Sequence, residues 1–465
     1  VCGLAGNTGG NGALAAEMLE RIKHRGPDGD GVVSVGGVTH GHVRLALLDL
    51  SSASAQPFRL GDSVLAFNGE IWNHREVRER LERKGRTFRT TGDTEVLAVA
   101  LDEEGLDCLP TLDGMFAFSW SHPTRGHWLV RDEHGKVPLY VRRELRSGAL
   151  EWASERKAWL HGASSFRRGM PPPSALAPGA ALNLETGEVL SWKRARAPEA
   201  ATPENVLRLL RAAVERRLFA DAPVCCLISG GLDSSLILAL AKQARPDVVA
   251  FTVAHDETAR DLSSARRICE DLDVPLVVVR SSLEAGAYVD AVRTVETGSK
   301  AQVEIGALCL PLAREIARQG FKACLSGEAA DELFGGYAAF LLKAWKQPDA
   351  EVVRLRQWQV AKMARGNFPR TNKAFLSAGV ECRLPFMDPA LVDLAVHATW
   401  EANPEHKKLL KAAAETYVPS WCVRRTKHTF QQGAGADARA ARLFANPKPY
   451  YSAEVRNFLG YIPPD

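Results

Sequence analysis

The chain has 465 residues, 46% of them hydrophobic and 25% charged, and 59 basic against 55 acidic residues leave a net charge of +4. That length holds two or three domains with full cores, and the near balance of charge excludes nucleic acid or an anionic membrane as the main partner. No apolar run is long enough to span a bilayer, the Val1-Cys2-Gly3 start is not a secretory leader, and nine cysteines without Cys-x-x-Cys spacing fit a reducing cytoplasm rather than disulfides or structural zinc.

Val1 to Gly6 reads as a strand carrying Cys2. Cys2 is either a buried strand residue or a nucleophile whose own α-amino group, titrating at roughly pH 8, serves as its base. The second reading needs Cys2 to be the first residue of the mature chain. Val1 is then a GTG initiation codon, decoded as Met and removed. Leu14 to Lys23 follows as a helix, and His24-Arg25-Gly26-Pro27-Asp28-Gly29 as a turn-rich stretch. Val38 to Leu50 alternates as a strand. Arg44 inside it needs an anion, either a substrate carboxylate or an internal salt bridge. Asn68 and the Gly69 N–H form either an oxyanion hole or a tight turn. His74 to Lys84 is a solvent-facing helix, and Thr90 to Glu95 caps a helix from Val96 to Glu103. Leu112 to Phe118 and Trp128 to Asp132 read as paired strands. Many short strands and few helices predict an α+β domain with stacked sheets.

These residues resemble the class II glutamine amidotransferase domain of the asparagine synthetase family. Cys2-Gly3-Leu4-Ala5-Gly6, His24 to Gly29, Arg44-Leu45-Ala46-Leu47-Leu48-Asp49-Leu50, Asn68-Gly69-Glu70-Ile71-Trp72-Asn73, Gly92 to Leu97 and Asp113 to Phe118 occur in the family's order. The resemblance implies an N-terminal-nucleophile (αββα) fold over residues 1–195. It makes Cys2 the nucleophile and Asn68 and Gly69 the oxyanion hole. Arg44 through Leu48 (with Leu45, Ala46 and Leu47), Glu70 and Asp93 would bind glutamine, Arg44 at its α-carboxylate and Asp93 at its α-amino group.

Arg194 to Pro203 reads as a linker. A helix from Glu204 to Leu218 puts Val206, Leu209, Leu210, Ala213, Val214 and Leu218 on one stripe. Strands at Pro223–Ile228, Val248–Val253, Pro275–Val279 and Lys322–Leu325 then alternate with helices at Leu232–Ala244, Asp261–Leu272 and Leu308–Arg318. That rhythm predicts a doubly wound parallel sheet with ligands outside the strand C-termini. Ser229 to Ser235 lies at one such end, its backbone N–H groups suited to an anion. Asp233 repels phosphate unless a cation such as Mg²⁺ stands between them. The alternative is an ordinary Gly-rich turn with Asp and Ser caps. Glu328, Asp331 and Glu332 follow another strand, either as a solvated helix start or, with Asp233, as a carboxylate pair for Mg²⁺.

This half, 203–465, also resembles the asparagine synthetase family, whose synthetase domain is a pyrophosphatase-type, adenine-nucleotide α-hydrolase-like fold. The chain is therefore expected to have two domains, one α+β and one α/β. By position, the resemblance makes Ile228, Val253, Ser326 and Gly327 nucleoside contacts. Ser229, Gly230, Gly231 and Ser234 would hold pyrophosphate, and Asp233 and Asp331 would hold Mg²⁺. Glu328 would serve acyl-adenylate formation, and Lys427 would stabilise charge at the adenylate. The implied reaction takes ammonia from glutamine to an ATP-activated carboxylate. The alternatives are a β-lactam-forming relative that works without glutamine and a non-catalytic nucleotide-binding scaffold. Family members that amidate aspartate carry Glu-Thr-Tyr-Asp where this chain has Glu296-Thr297-Gly298-Ser299. The missing acid and aromatic are expected to open the pocket to a larger acid, unless Glu296, Glu304 and Lys300 restore the aspartate contacts. A homodimer and a cytoplasmic location are compatible with the resemblance.

Overall fold

The structure, a computed structural model, describes residues 2–160, 170–195, 197–337, 340, 343–344, 347–399, 407–425 and 430–464. Val1 and Lys427 lie outside the described residues.

The first half folds as two six-stranded antiparallel sheets. The strands are β1 (Gly3–Asn7), β2 (Gly29–Val35), β3 (Val38–Arg44), β4 (Phe58–Leu60), β5 (Ser63–Ile71), β6 (Gly114–His122), β7 (Gly126–Arg131), β8 (Tyr140–Arg143), β9 (Leu150–Ala153), β10 (Ser174–Ala175), β11 (Ala180–Asn183) and β12 (Val189–Ser191). One sheet runs β10-β8-β9-β1-β3-β2 and the other β12-β11-β7-β6-β5-β4. Helix α1 (Gly12–Arg21) packs on β1 and β3, while α2 (His74–Glu82) and α3 (Asp93–Glu104) lie against each other on the far side. α3 packs on β4 and β5. β5 is buried along its whole length because one sheet covers one face and α3 the other. The layers are those of the expected αββα fold.

Two local differences have physical causes. The strand expected to reach Leu50 ends at Arg44. The Leu45 N–H goes to Cys2 Sγ and the Ala46 N–H to the Asp28 carboxylate, so no neighbouring strand can continue the ladder. The helix expected from Val96 starts at Asp93, whose carboxylate takes the Ile71 N–H.

Thr202 caps α4 (Pro203–Leu218) by accepting the Asn205 N–H, with proline at the first helical position. A five-stranded parallel sheet follows: β13 (Val224–Leu227), β14 (Ala250–Ala254), β15 (Leu276–Arg280), β16 (Ala323–Leu325) and β17 (Glu381–Arg383), in the order β15-β14-β13-β16-β17. The intervening helices include α5 (Leu232–Ala244), α6 (Arg260–Asp271), α7 (Ala285–Val295) and α8 (Lys300–Arg318). α8 begins at Lys300 rather than Leu308 and carries Pro311 inside it. A proline is easiest to place in a first turn, which is why the pattern put the start too late. β17 escaped the sequence pattern because its outer residues are charged, yet Glu381 and Arg383 are buried as a pair 2.5 Å apart.

Candidate active sites

Cys2 stands just ahead of β1, buried, with its Sγ accepting the Leu45 N–H at 3.3 Å. Burial pushes the thiol up, against the pull of that N–H. Arg44, Leu45, Leu47, Leu48, Gly69, Glu70 and Asp93 line the pocket beside it. Ser54 and Gln56, which lie outside every motif, also line it, as does Thr94 of the Gly92–Leu97 motif, to which no role had been given. Ala46 and Asn68 are not among the lining residues. Asn68 is buried and donates from Nδ2 to Ser154 Oγ at 3.1 Å.

The pocket is electrically asymmetric. The Arg44 guanidinium donates to the carbonyls of Asp49 (2.5 Å) and Ser51 (2.9 Å). Backbone carbonyls therefore fix it, in place of the internal salt bridge that the sequence left open. Glu70 and Asp93 are buried acids facing it. Burial, then the Glu381 and Asp93 charges, push the Glu70 carboxyl well above its usual range, with Arg383 opposing. Burial likewise raises Asp93. The lining thus presents one cation and two acids, which suits a zwitterionic amino acid. Gly69 is required by close approach: a Cβ there would lie 2.2 Å from the Met115 carbonyl oxygen.

The second site lies where β13 and β16 end side by side, with Cys226 opposite Leu325. Gly230 turns with φ +69°, and a Cβ there would sit 2.5 Å from the Ala265 nitrogen. Ser234 Oγ accepts the Ser229 N–H at 3.2 Å and lies 3.0 Å from Ser229 Oγ. At Gly327 a Cβ would come within 2.8 Å of the Ser234 nitrogen, so the two loops touch. Ile228 and Val253 are buried at the neighbouring strand ends. Ser326 Oγ accepts the Glu328 N–H.

Asp233 and Asp331 converge. The Lys407 ammonium lies 2.6 and 2.5 Å from the two Asp233 oxygens and 2.5 Å from Asp331 Oδ1. Burial works against that charge, but the two carboxylates outweigh it and hold the amine above its usual range. Two acids sharing one cation position have the donor chemistry of a hard-metal site completed by phosphate oxygens. Glu328 is held by Arg370 and by the Thr371 hydroxyl at 2.6 Å. The solvated-helix reading of this acidic stretch is overturned: Glu332 is buried and accepts from Tyr337 and Asn367. Burial first, then Asp331 and Glu328, raises its carboxyl.

The chain scores as a member of a known family along both halves. A glutamine amidotransferase domain model matches residues 1–171, and an asparagine synthase model matches 205–355 and 344–447. Asparagine synthetase B [glutamine-hydrolyzing] of Escherichia coli K12 is 30% identical over 459 residues, covering 90% of this chain and 79% of that protein. The asparagine synthetase [glutamine-hydrolyzing] of Asparagus officinalis is 32% identical over 90% of this chain and 74% of its own length. An Arabidopsis thaliana asparagine synthetase [glutamine-hydrolyzing] is 30% identical over 94% and 78%. The chain belongs to the glutamine-hydrolysing asparagine synthetase family.

Within that family frame, the acceptor loop differs from expectation. Gly298 opens no space: a Cβ there would meet Ser452 Cα at 2.9 Å, because the Pro447–Leu459 helix already packs against it. Glu296 is fully buried, takes the N–H groups of Arg156 (2.9 Å) and Lys157 (2.7 Å), and pairs with Lys373 at 2.6 Å. It ties the two halves together, with its carboxylate engaged by these groups. Glu304 pairs with Lys300 one turn away at 2.8 Å.

Further polar contacts join the sites across the domain boundary. Arg25 donates from Nε to the Cys2 carbonyl (2.9 Å) and from Nη2 to Asn372 Oδ1 (2.8 Å). Thr371 and Arg370, the two residues before Asn372, hold Glu328. The Leu47 carbonyl takes the N–H groups of Asp221 and Ala222, so the second half also braces the glutamine-side loop. Sequence reasoning missed these cross-boundary partners, and it missed Lys407 entirely. A lysine in the basic run Lys407-Lys408 carries no signal of burial.

Proposed function

We propose that this chain is an ATP-dependent, glutamine-hydrolysing amide synthetase that makes asparagine from aspartate. The observation that carries it is the coexistence of two built sites in one chain. One is a pocket lined by a cysteine, a cation and two acids. The other is a Gly-Ser loop facing a carboxylate pair. The family relatives are named asparagine synthetases, which supports aspartate as the acceptor.

In the first pocket, Arg44 takes the glutamine α-carboxylate, and Asp93 and Glu70 take its α-ammonium. The Cys2 thiolate attacks the side-chain amide carbon. The Gly69 N–H and the Asn68 amide, once released from Ser154, stabilise the oxyanion. Ammonia leaves with a proton and a thioester remains; water then releases glutamate. In the second site, Ser229, Gly230, Gly231 and Ser234 hold the outer phosphates, with Ile228, Val253, Ser326 and Gly327 at the nucleoside. Asp233 and Asp331 hold Mg²⁺, which neutralises phosphate charge when bound. The acceptor carboxylate displaces pyrophosphate from ATP, and Glu328, fixed by Arg370 and Thr371, orients the reacting groups. Ammonia attacks the acyl carbon and AMP leaves, with Lys427 proposed at the developing charge. Residues 1–195 and 203–465 are the proposed domain limits.

The test is transfer of label. Amide-¹⁵N glutamine, ATP, Mg²⁺ and aspartate are expected to yield ¹⁵N-asparagine, AMP and pyrophosphate by mass spectrometry. Label confined to free ammonia, with no aspartate-dependent AMP, would defeat the reading.

A further inference from the structure

We propose that Lys407 is the resident counter-ion of the Asp233–Asp331 pair, holding the place that a divalent cation takes only when nucleotide arrives with it. This deepens the metal assignment made above and rests on it. The ammonium makes three contacts of 2.5–2.6 Å to oxygens from the first turns of two different helices, one after β13 and one after β16. Those helices follow neighbouring parallel strands, and their carboxylates would repel each other with no cation between them. Lys407 therefore keeps the pair converged.

The arrangement is built rather than incidental. The Lys407 side chain is 6% exposed, although it follows a polar stretch of chain. Its backbone adopts φ +60°, a left-handed conformation that a non-glycine residue holds only when its surroundings require it. Ala329, on the acidic loop itself, is held at φ +81°. At Gly336 a Cβ would fall 1.9 Å from Asp331 Oδ1 and 2.6 Å from Lys407 Cε, so that glycine leaves room for the ion pair.

The consequence is conditional metal binding. A free divalent cation must displace an ammonium that is tethered to the chain and shielded from water. A cation entering with ATP brings phosphate oxygens that accept the displaced ammonium, so the exchange loses no charge pairing. The site then responds to the metal–nucleotide complex and not to the metal alone.

The experiment measures Mn²⁺ binding by electron paramagnetic resonance, with and without α,β-methylene-ATP. It compares wild type with Lys407→Met, whose side chain fills similar space without charge. Wild type is expected to bind Mn²⁺ at this site only with nucleotide. Lys407→Met is expected to bind one Mn²⁺ without nucleotide at least tenfold more tightly than wild type, and Lys407→Met/Asp331→Asn is expected to lose that gain. Circular dichroism checks folding, and Lys407→Gln carries the same comparison if the methionine variant does not fold. Nucleotide-free affinities within twofold of each other would overturn the counter-ion role while leaving the metal assignment standing. Failure of wild type to bind Mn²⁺ even with nucleotide would overturn both.

Discussion

The two sites of this chain are made in different ways. The proposed glutamine pocket draws its groups from short stretches between Cys2 and Thr94, set on antiparallel strands and the loops leaving them. Its polar side chains are fixed largely by main-chain partners: Arg44 by the Asp49 and Ser51 carbonyls, Asp93 by the Ile71 N–H, Cys2 by the Leu45 N–H. The proposed nucleotide site depends on side chains fixing side chains. Asp233 and Asp331 meet at Lys407, and Glu328 meets Arg370 and Thr371. Main-chain fixing makes a pocket that stands before substrate arrives. Side-chain fixing makes one whose charges, on the exchange proposed above, rearrange when a cation and phosphate enter.

The sharpest division of the two comes from the nucleophile. Cys2→Ala is expected to lower glutamine-dependent amide synthesis ~10⁴-fold or more, while ammonia-dependent synthesis stays within a few-fold of wild type. Loss of both would mean the sites are not separable, and steady-state assays with each nitrogen source decide it. The converse is Asp331→Ala. ATP–pyrophosphate exchange is expected to fall by ~10²–10³-fold, since phosphate charge is left uncompensated, with glutamine hydrolysis retained. Exchange at the wild-type rate would remove Asp331 from the metal site.

Lys373→Met tests where the two regions join. It leaves Glu296 buried and without its cation, beneath the Arg156 and Lys157 N–H groups. The expected loss is about 3–5 kcal/mol of stability by denaturant unfolding. Lys373→Met/Glu296→Gln is expected to recover much of it. A loss below ~1 kcal/mol would show that the junction is held elsewhere.

The smallest effect is on pH dependence and belongs to the glutamine pocket alone. Glu70 holds its proton to a pH above the ordinary glutamate value of about 4.3. Binding an ammonium requires the ionised carboxylate, so the proton must leave first. The KM for glutamine is therefore expected to fall as pH rises through that raised value, and to level off above it. A KM independent of pH from about 5 to 8 would place the whole titration where an exposed carboxylate titrates. ATP–pyrophosphate exchange should lack this limb.

What could be read in advance follows the same division. Cys2, Arg44, Glu70 and Asp93 sit in short motifs along the chain, and they do line one pocket. The strand-helix rhythm after Pro203 gave the parallel sheet, because a strand buried on both faces leaves an apolar run that survives in sequence. The loop after β13 was legible for a similar reason: a tight turn that meets another backbone needs glycine at Gly230. β17 was not legible, since its charged residues satisfy each other only once Arg383 and Glu381 are buried together. The part played by Gly298 was misread, because only packing brings the Pro447–Leu459 helix against it. Glu296 and Lys373 are far apart in the chain and give no periodic signal, yet they close the domain boundary. Local backbone demands and burial patterns are written along the chain, so sequence alone determined the fold class and picked out most of the motif residues that line the first pocket. Which buried charge answers which is a property of distance in space, so the partners of Asp233, Asp331, Glu296 and Glu328 were decided by tertiary structure.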